Sequence, residues 1–455
     1  MAVIHQAKKR TRMLTPLRVA VVIAISFGCL FFLETSRTDA NDYDTNIVNS
    51  LRKEGYEVVV EDSGKKTELP KQIHIQDTEL REETLDLNET STSMVYNQEK
   101  PKGKPWPSPI EIYGAVASLK MMPIFGAIRP NKDAVFSFAR GIQFNQLVRF
   151  VGSLRKTGFD GDIVLAVNQK HELDPNFLQF LAYHAKNSNV VSYPAELVCK
   201  LVKSRTRCKA FKMFIHKELG GYLPDPRPHR ELNQLRFEYY WAWSSLYSPL
   251  SRLFLVDSMD LMFQSNPFDN LPHSVMKKVI VYEESNLKNI GDEPNNRLWL
   301  REGHERKYLH RLGRNTVLCA GVIAGGQAAI ETLTRAMVNQ WDVSQCTIYG
   351  CDQGHLNYLV YGNFLVGSPN IDEVMIERFG ESYVMSLAIQ IANNPNLRRS
   401  RIVQGGSDNV MNKKGLPAAI VHQFDKDAEL KRIYDGKKTT PYLEEWLEIK
   451  RRIDS

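Results

Sequence analysis

The chain is poor in cysteine, poor in long apolar runs and, outside its first residues, poor in net charge. It has 6 cysteines in 455 residues, none in a C-x-x-C pair or in zinc-ligand spacing, which excludes a disulfide-dense scaffold and the common structural zinc modules. One long uncharged apolar run is present, Val19 to Leu33, which excludes a polytopic membrane protein. No G-x-G-x-x-G fingerprint follows a strand, so a dinucleotide-dependent dehydrogenase has little support. Arg452-Ile-Asp-Ser455 is not a KDEL-type signal. With 43% hydrophobic and 24% charged residues, the composition is that of an ordinary globular chain.

The formal charge of +7 is concentrated at one place. Lys8, Lys9, Arg10, Arg12 and Arg18 lie in residues 1–18, which contain no acid; taking these five from +7 leaves about +2 for the rest. Nothing in that near-neutral remainder reads as a basic, aromatic-rich nucleic-acid surface. The cluster borders the apolar run, and fifteen helical residues span about 22 Å. Leu14, Pro16 and Leu17 lengthen the span if Arg18 snorkels. The expectation is a single-pass signal anchor over 19–33 with residues 1–18 cytosolic and the rest lumenal. A cleaved signal peptide, with Thr38 and Ala40 before the cut, is the alternative.

Residues 34–105 are polar, mixed in charge and without sustained periodicity, and are expected to form a stem that cannot bury enough apolar surface to order itself. Asn88-Glu89-Thr90 is an N-glycosylation triplet within it. Beyond the anchor, Cys199 with Cys208 and Cys346 with Cys351 are close enough to pair in an oxidising lumen, leaving Cys319 as a small buried residue.

From 106 to 455 the pattern is that of a folded domain. A strand over Asp133–Ala139, a helix over Phe144–Leu154 and a strand over Ile163–Val167 make a βαβ unit. A third strand is expected at Val190–Tyr193, helices near 205–218 and 232–247, and further strands at Arg252–Val256 and Lys278–Tyr282. This alternation predicts one α/β domain with a mostly parallel central sheet, whose ligands bind beyond the carboxyl ends of the strands.

The strongest chemical signal is at one such end. Arg252-Leu-Phe-Leu-Val256 runs directly into Asp257-Ser-Met-Asp260. Carboxylates there are costly unless solvated or bound to a cation, and oxygen ligands suit Mg2+ or Mn2+. The competing reading is a turn in which Asp257 caps backbone and Asp260 is merely exposed.

With three further segments, this motif resembles the glycosyltransferases of the GT-A fold, the nucleotide-diphospho-sugar transferases. The segments are Leu318-Cys-Ala-Gly-Val-Ile-Ala-Gly-Gly326, Cys351-Asp-Gln-Gly-His-Leu-Asn-Tyr358 and Val421-His-Gln-Phe-Asp425, and the resemblance covers roughly residues 130–430. One departure stands out. The family's acids are spaced D-x-D, whereas here they are D-x-x-D, so Asp257 and Asp260 reach one ion only if the chain turns between them.

The resemblance implies a GT-A domain behind a type II anchor in the Golgi membrane, the endoplasmic reticulum being the alternative. It implies a divalent metal held by Asp257, Asp260 and His422, a neutral imidazole suiting Mn2+. It places the donor, a nucleoside-diphosphate sugar, against Ser137, Arg140, Gly141, Arg236, Gly321 and Gly325, and the transferring sugar near Asp352 and Gln353. The acceptor is a glycan, protein or lipid, with Glu283 and Glu284 as residues that can face it. Much of LRFEYYWAWSSLY, including Tyr239 and Tyr240, reads as an aromatic packing face. Two other functions are weighed beside glycosyl transfer: a lectin-like or scaffold protein that kept the fold, and a metal-dependent phosphohydrolase, for which no nucleophile motif is found.

Overall fold

The computed structural model describes the backbone of residues 18–25, 29–36, 57–61 and 117–119, and the chain from 121 to 455 except 203–204, 219–220, 224–226, 347 and 394–407. The chain divides into two units, Met1–Met94 and Val95–Ser455. In the first, Arg18–Ile25 pairs antiparallel with Cys29–Ser36 on one side and Glu57–Glu61 on the other. The helical form expected for the anchor is therefore not seen. Val and Ile favour extended backbone, and a short apolar run has no period that separates strand from helix. Among the described residues no helix is long and apolar enough to cross a membrane. Most of the expected stem, with Asn88, lies outside the described residues.

The second unit is built on the predicted βαβ opening. Strand β1 (Ala134–Phe138), helix α1 (Phe144–Lys156), strand β2 (Asp162–Val167), helix α2 (Pro175–Asn187) and strand β3 (Val190–Pro194) follow in order. Helix α1 buries Leu147, Val148, Phe150, Val151 and Leu154, the stripe that its spacing predicts. Helix α2 starts where Asp174 accepts from the backbone N–H of Phe177 at 2.9 Å and Pro175 fixes the first turn.

Next comes a departure. Residues 205–218 do not form a helix: Leu197–Val202 and Arg205–Ala210 make an antiparallel hairpin, with a short strand at Phe214–His216 beyond it. Cys199 and Cys208 face each other in register and are disulfide-bonded. The alternation of Thr206, Cys208 and Ala210 with Arg207 and Lys209 is a period of two, not 3.6.

Helix α3 (Leu232–Ser244) leads to strand β4 (Arg252–Val256), short strand β5 (Leu261–Phe263) and strand β6 (Lys278–Glu283). Helix α4 (Pro294–Gly303), strand β7 (Leu318–Gly326), helix α5 (Gln327–Ser344) and helix α6 (Cys351–Tyr361) follow. Strands β8 (Glu373–Glu377) and β9 (Val384–Ser386), helix α7 (Ala388–Asn393), strand β10 (Ile420–His422) and helix α8 (Thr440–Asp454) end the chain.

The central sheet has seven strands in the order β8-β6-β7-β4-β1-β2-β3. It is mostly parallel; only β7 runs against both of its neighbours. The connection from β6 to β7 leaves and returns at the same end of the sheet, so β7 must run back. That reversal sets the amino end of β7 beside the carboxyl ends of β4 and β6. One face of the sheet packs on α3, α5 and α6, and the other on α1, α2 and α8. The aromatic face of α3 is core as expected: Tyr239, Tyr240 and Trp243 are buried, and Trp243 meets Phe136 edge-on at 5.6 Å. A second, small sheet, β5-β10-β9, lies beyond β4.

Candidate metal and sugar site

Strand β4 delivers Asp257 while its pairing with β7 still holds, the Asp257 N–H donating to the Gly321 carbonyl at 2.9 Å. The chain then bends through Ser258–Asp260 before β5 begins. This bend answers the spacing problem, because it carries Asp260 back toward Asp257. The antiparallel register of β5 with β10 pairs Leu261 with His422, and the Gln423 N–H donates to the Asp260 carbonyl at 2.8 Å. A residue 162 positions away is thereby locked over the acids.

One ligand atom from each of Asp257, Asp260 and His422 lies within 4.8 Å of the others. His422 Nε2 is 3.4 Å from an Asp257 oxygen and 3.6 Å from an Asp260 oxygen. It is buried and has no hydrogen-bond partner, while Nδ1 contacts Ser386 Oγ at 3.3 Å and Cys319 Sγ at 3.5 Å. Two carboxylates and one imidazole, the ring steered from behind by its other nitrogen, make a ligand set that could hold a divalent ion once the ring gives up its proton.

The field in this cluster favours positive charge. Burial works against a charged His422, yet Cys319, Asp260 and Asp257 outweigh it and raise the imidazole well above its ordinary value. Burial and the neighbouring Asp257 and Asp425 raise Asp260, against the pull of His422. Asp257 is lowered: burial opposes its charge, but Arg236 and His422 prevail. Gly321 makes room for the cluster. A Cβ there would overlap the His422 ring and come 2.6 Å from Asp257 Oδ2.

Arg236, buried on α3, connects this cluster to the Asp352-Gln353 pair. One terminal nitrogen donates to Asp257; the other donates to Asp352 at 2.7 Å and to the Ala320 carbonyl at 3.0 Å. Burial opposes its charge, but Asp257 and Asp352 overcome this and hold the guanidinium firmly protonated. Asp352 also accepts from Asn233 at 2.9 Å, and burial above all raises its carboxyl. Gln353 is fixed at three points. Its oxygen accepts from the Ala320 N–H at 3.3 Å, and its nitrogen donates to Glu284 at 2.7 Å and Asn296 at 2.9 Å. Burial raises Glu284 as well.

These groups surround a cavity of about 680 Å³, lined by Arg236, Asp257, Glu284, Gly321, Asp352, Gln353 and His422 among others. The structure thus brings together most of the residues expected from the sequence, and three assignments change. Gly325 lies four positions along β7 from Gly321, about 13 Å at strand rise. It packs against the Lys278 carbonyl and Ile330 at the far end of the sheet, because β7 is antiparallel, and it is not a cavity residue. Glu283 accepts from Thr316 Oγ1 at 2.7 Å and from the Phe379 N–H at 3.1 Å, so only Glu284 of that pair faces the cavity. Arg236 is committed to two carboxylates, which makes it a residue that positions them.

Ser137, Arg140 and Gly141 stand at the carboxyl end of β1, next to β4, but do not line this cavity. The Ser137 hydroxyl is buried without a partner. Gly141 has a left-handed φ of +80° and donates to Asn168 at 2.7 Å. Met259, inside the D-x-x-D bend, lies 3.9 Å from where a Gly141 Cβ would be.

Sequence reasoning passed over Asn233, Asn296, Trp299, Tyr349 and Lys426, all of which line the cavity. None belongs to a patterned motif. The pairing of Cys346 with Cys351, which the structure confirms, was the available sign that the intervening loop, with Tyr349, is held close to Asp352. Cys319 is free and buried, as expected.

No protein-family model and no curated protein matches the chain. Among solved structures, it is similar to the glycosyltransferase GlyE of Streptococcus pneumoniae TIGR4, at 13% identity and a TM-score of 0.38 over 70% of this chain and 64% of that one. This chain thus spans less than two thirds of GlyE. It is also similar to an active-site mutant of LgtC, at 9% identity and a TM-score of 0.36 over 64% of this chain and 86% of that one. LgtC, a galactosyltransferase, in complex with donor and acceptor sugar analogs gives 10% identity and a TM-score of 0.33 with the same coverage.

Proposed function

We propose that the chain is a glycosyltransferase that moves a sugar from a nucleoside-diphosphate donor to a glycan, protein or lipid acceptor, with Mn2+ or Mg2+ held by Asp257, Asp260 and His422. The observation that carries this reading is the convergence of those three residues beside Gly321, with Asp257 and His422 lining the cavity that also holds Asp352. A bound divalent ion supplies Lewis-acid neutralisation of diphosphate charge. The protein's own groups do the rest: Arg236 fixes Asp257 and Asp352 in one frame, Asp352 and Glu284 offer oxygens to sugar hydroxyls, and the Ala320, Glu284 and Asn296 contacts hold Gln353 still. Preorganised groups of this kind cost no rearrangement during reaction. The basic cluster and apolar run of residues 1–33 support placement as a type II protein of the Golgi membrane.

The test is a screen of nucleotide sugars against the full chain in Mn2+, read first as thermal stabilisation and then as donor turnover. Turnover is expected to vanish with chelator and in the double variant Asp257→Asn, Asp260→Asn. Undiminished turnover in either case would rule the metal assignment out.

A further inference from the structure

One wall of the cavity is aromatic, and glycosyl chemistry at the metal does not use it. Trp299 of α4 and Tyr349 of the loop before α6 both line the cavity. Their rings meet edge to face, with centroids 6.4 Å apart at 73°. Tyr349 is 67% exposed, so its ring is offered to whatever enters. The wall is also fixed in place. Gly350 has a left-handed φ of +83°, and a Cβ there would overlap the Trp299 indole, so the backbone after Tyr349 lies flat against that ring. The Cys346–Cys351 disulfide closes the same loop. Tyr349 thus presents an apolar ring face and a polar tip at the cavity, on a loop held at both ends.

What lies beneath the wall identifies its occupant. The floor is made of planar polar groups: Gln353 bonded to Glu284 and Asn296, with Asp352 held by Asn233. Carboxylate oxygens are acceptors with several lone pairs each, suited to hydroxyl donors. A ligand that shows an apolar C–H face to an aromatic ring and several hydroxyls to carboxylates is a pyranose. The position agrees. Trp299 belongs to the connection between β6 and β7, while β1, with Ser137 just before its end and Gly141 beyond it, lies on the other side of β4. A donor running from β1 past the acids sets its transferring sugar at Asp352, and the next ring along, facing Trp299 and Tyr349, is then the one that receives it.

Resting on the glycosyltransferase reading, we infer that Tyr349, backed by Trp299, is the stacking platform for a hexopyranose ring of the acceptor, and that the acceptor is a carbohydrate, not a bare protein or lipid. The variants are Tyr349→Ala and Tyr349→Phe, at an exposed position where folding is not at stake. Two measurements on the full chain separate this inference from the reading beneath it. In the first, saturation-transfer NMR probes binding of methyl α- and β-hexopyranosides with no need of turnover. Wild-type and Tyr349→Phe proteins are expected to transfer saturation to at least one sugar, and Tyr349→Ala to lose it. In the second, transfer to p-nitrophenyl hexopyranosides is followed at saturating donor. Tyr349→Ala is expected to raise the acceptor KM at least tenfold, with kcat changed less than threefold and Tyr349→Phe within twofold of wild type.

Several results would overturn the platform. They are no saturation transfer to any sugar in the wild type, an acceptor KM within twofold of wild type in Tyr349→Ala, or equal impairment in Tyr349→Phe. Loss of nucleotide binding in place of sugar binding would do the same, since it would make the wall a base-stacking site. Failure of the wild type to turn over any nucleotide sugar counts against the glycosyltransferase reading alone, because the NMR arm still decides the platform.

Discussion

Asp257 and Asp352 are held by a single guanidinium. Arg236 reaches one with each terminal nitrogen, so the acid grouped with Asp260 and His422 and the acid beside Gln353 share one cation at their backs. Neither carboxylate can turn without disturbing the other.

Arg236→Met is therefore expected to act on both. Breaking a buried ion pair by removing one partner costs about 3–5 kcal/mol, so the variant should show a lower urea midpoint. Donor turnover should fall by about a hundredfold or more, as expected for a lost preorganised charge in an active site. Arg236→Lys, which keeps the charge but reaches one acid at a time, should recover stability ahead of activity. Urea melts and kcat/KM for the three proteins check this.

Gly321 and Gly325 give a paired test of the antiparallel course of β7. Gly321→Ala places a methyl group against His422 and Asp257. It should weaken Mn2+ binding by at least tenfold by calorimetry, with a smaller effect on melting. Gly325→Ala meets the Lys278 carbonyl instead. It should lower the melting temperature, the cost being that of overpacking, about 1–3 kcal/mol, and leave the Mn2+ affinity within twofold. The opposite pattern would mean that Gly325 lies at the site.

Arg149 supports the D-x-x-D bend from below. It is almost fully buried on α1, donates to the Met259 carbonyl and to Asp435, and lies 4.9 Å from the centre of the Phe424 ring. Arg149→Met should loosen the bend that lets both acids reach one ion. The expected signature is a loss of Mn2+ affinity on the order of tenfold, comparable to loss of an outer-shell partner, with part of the activity regained at high Mn2+. An unchanged Mn2+ affinity would assign Arg149 to packing alone.

A pair of neutral imidazoles predicts acid lability. His304 and His355 contact each other through ring nitrogens at 2.9 Å. Burial lowers His355 to about 3, and burial with the neighbouring His355 lowers His304 well below the usual value. The unfolded chain takes up protons below about pH 6.5, whereas the folded chain does not until its own lower values. Stability is therefore present above pH 6.5 and is lost as pH falls toward 3. At pH 5 the loss is about 2 kcal/mol for His355, and His304 acts in the same direction. Melting curves at pH 7 and pH 5 should show this drop, and His304→Phe, which keeps a ring stacked on Tyr358, should show a shallower one.

What could be read from the sequence follows from where each signal is stored. The Asp352-Gln353 pair and His422 were singled out only through the family resemblance, whereas the βαβ opening and the acids after β4 were legible because each sits in a short segment with its own pattern. The direction of β7 was not, because it depends on where the preceding connection returns, and Gly325 was misplaced with it. The second strand of the hairpin, Arg205–Ala210, was read as part of a helix near 205–218, although its period of two and its paired cysteines were available. Arg236 was found, but its task was not, since both of its partners come from other elements. Trp299 and Tyr349 carry no motif at all. They matter only because one loop and one helix end meet at the cavity.

The pairing of Leu261 with His422 has a consequence for biosynthesis. Two of the three side chains proposed to hold the metal are made early, but the third arrives some 160 residues later, on β10, the last of the described strands. A nascent chain that has completed β4 carries two acids with no imidazole above them. It holds no finished ion site until β10 has been synthesised and has docked antiparallel on β5. Such long-range closure is slow compared with local folding. The three-residue cluster is thus withheld until almost the whole unit has folded around it.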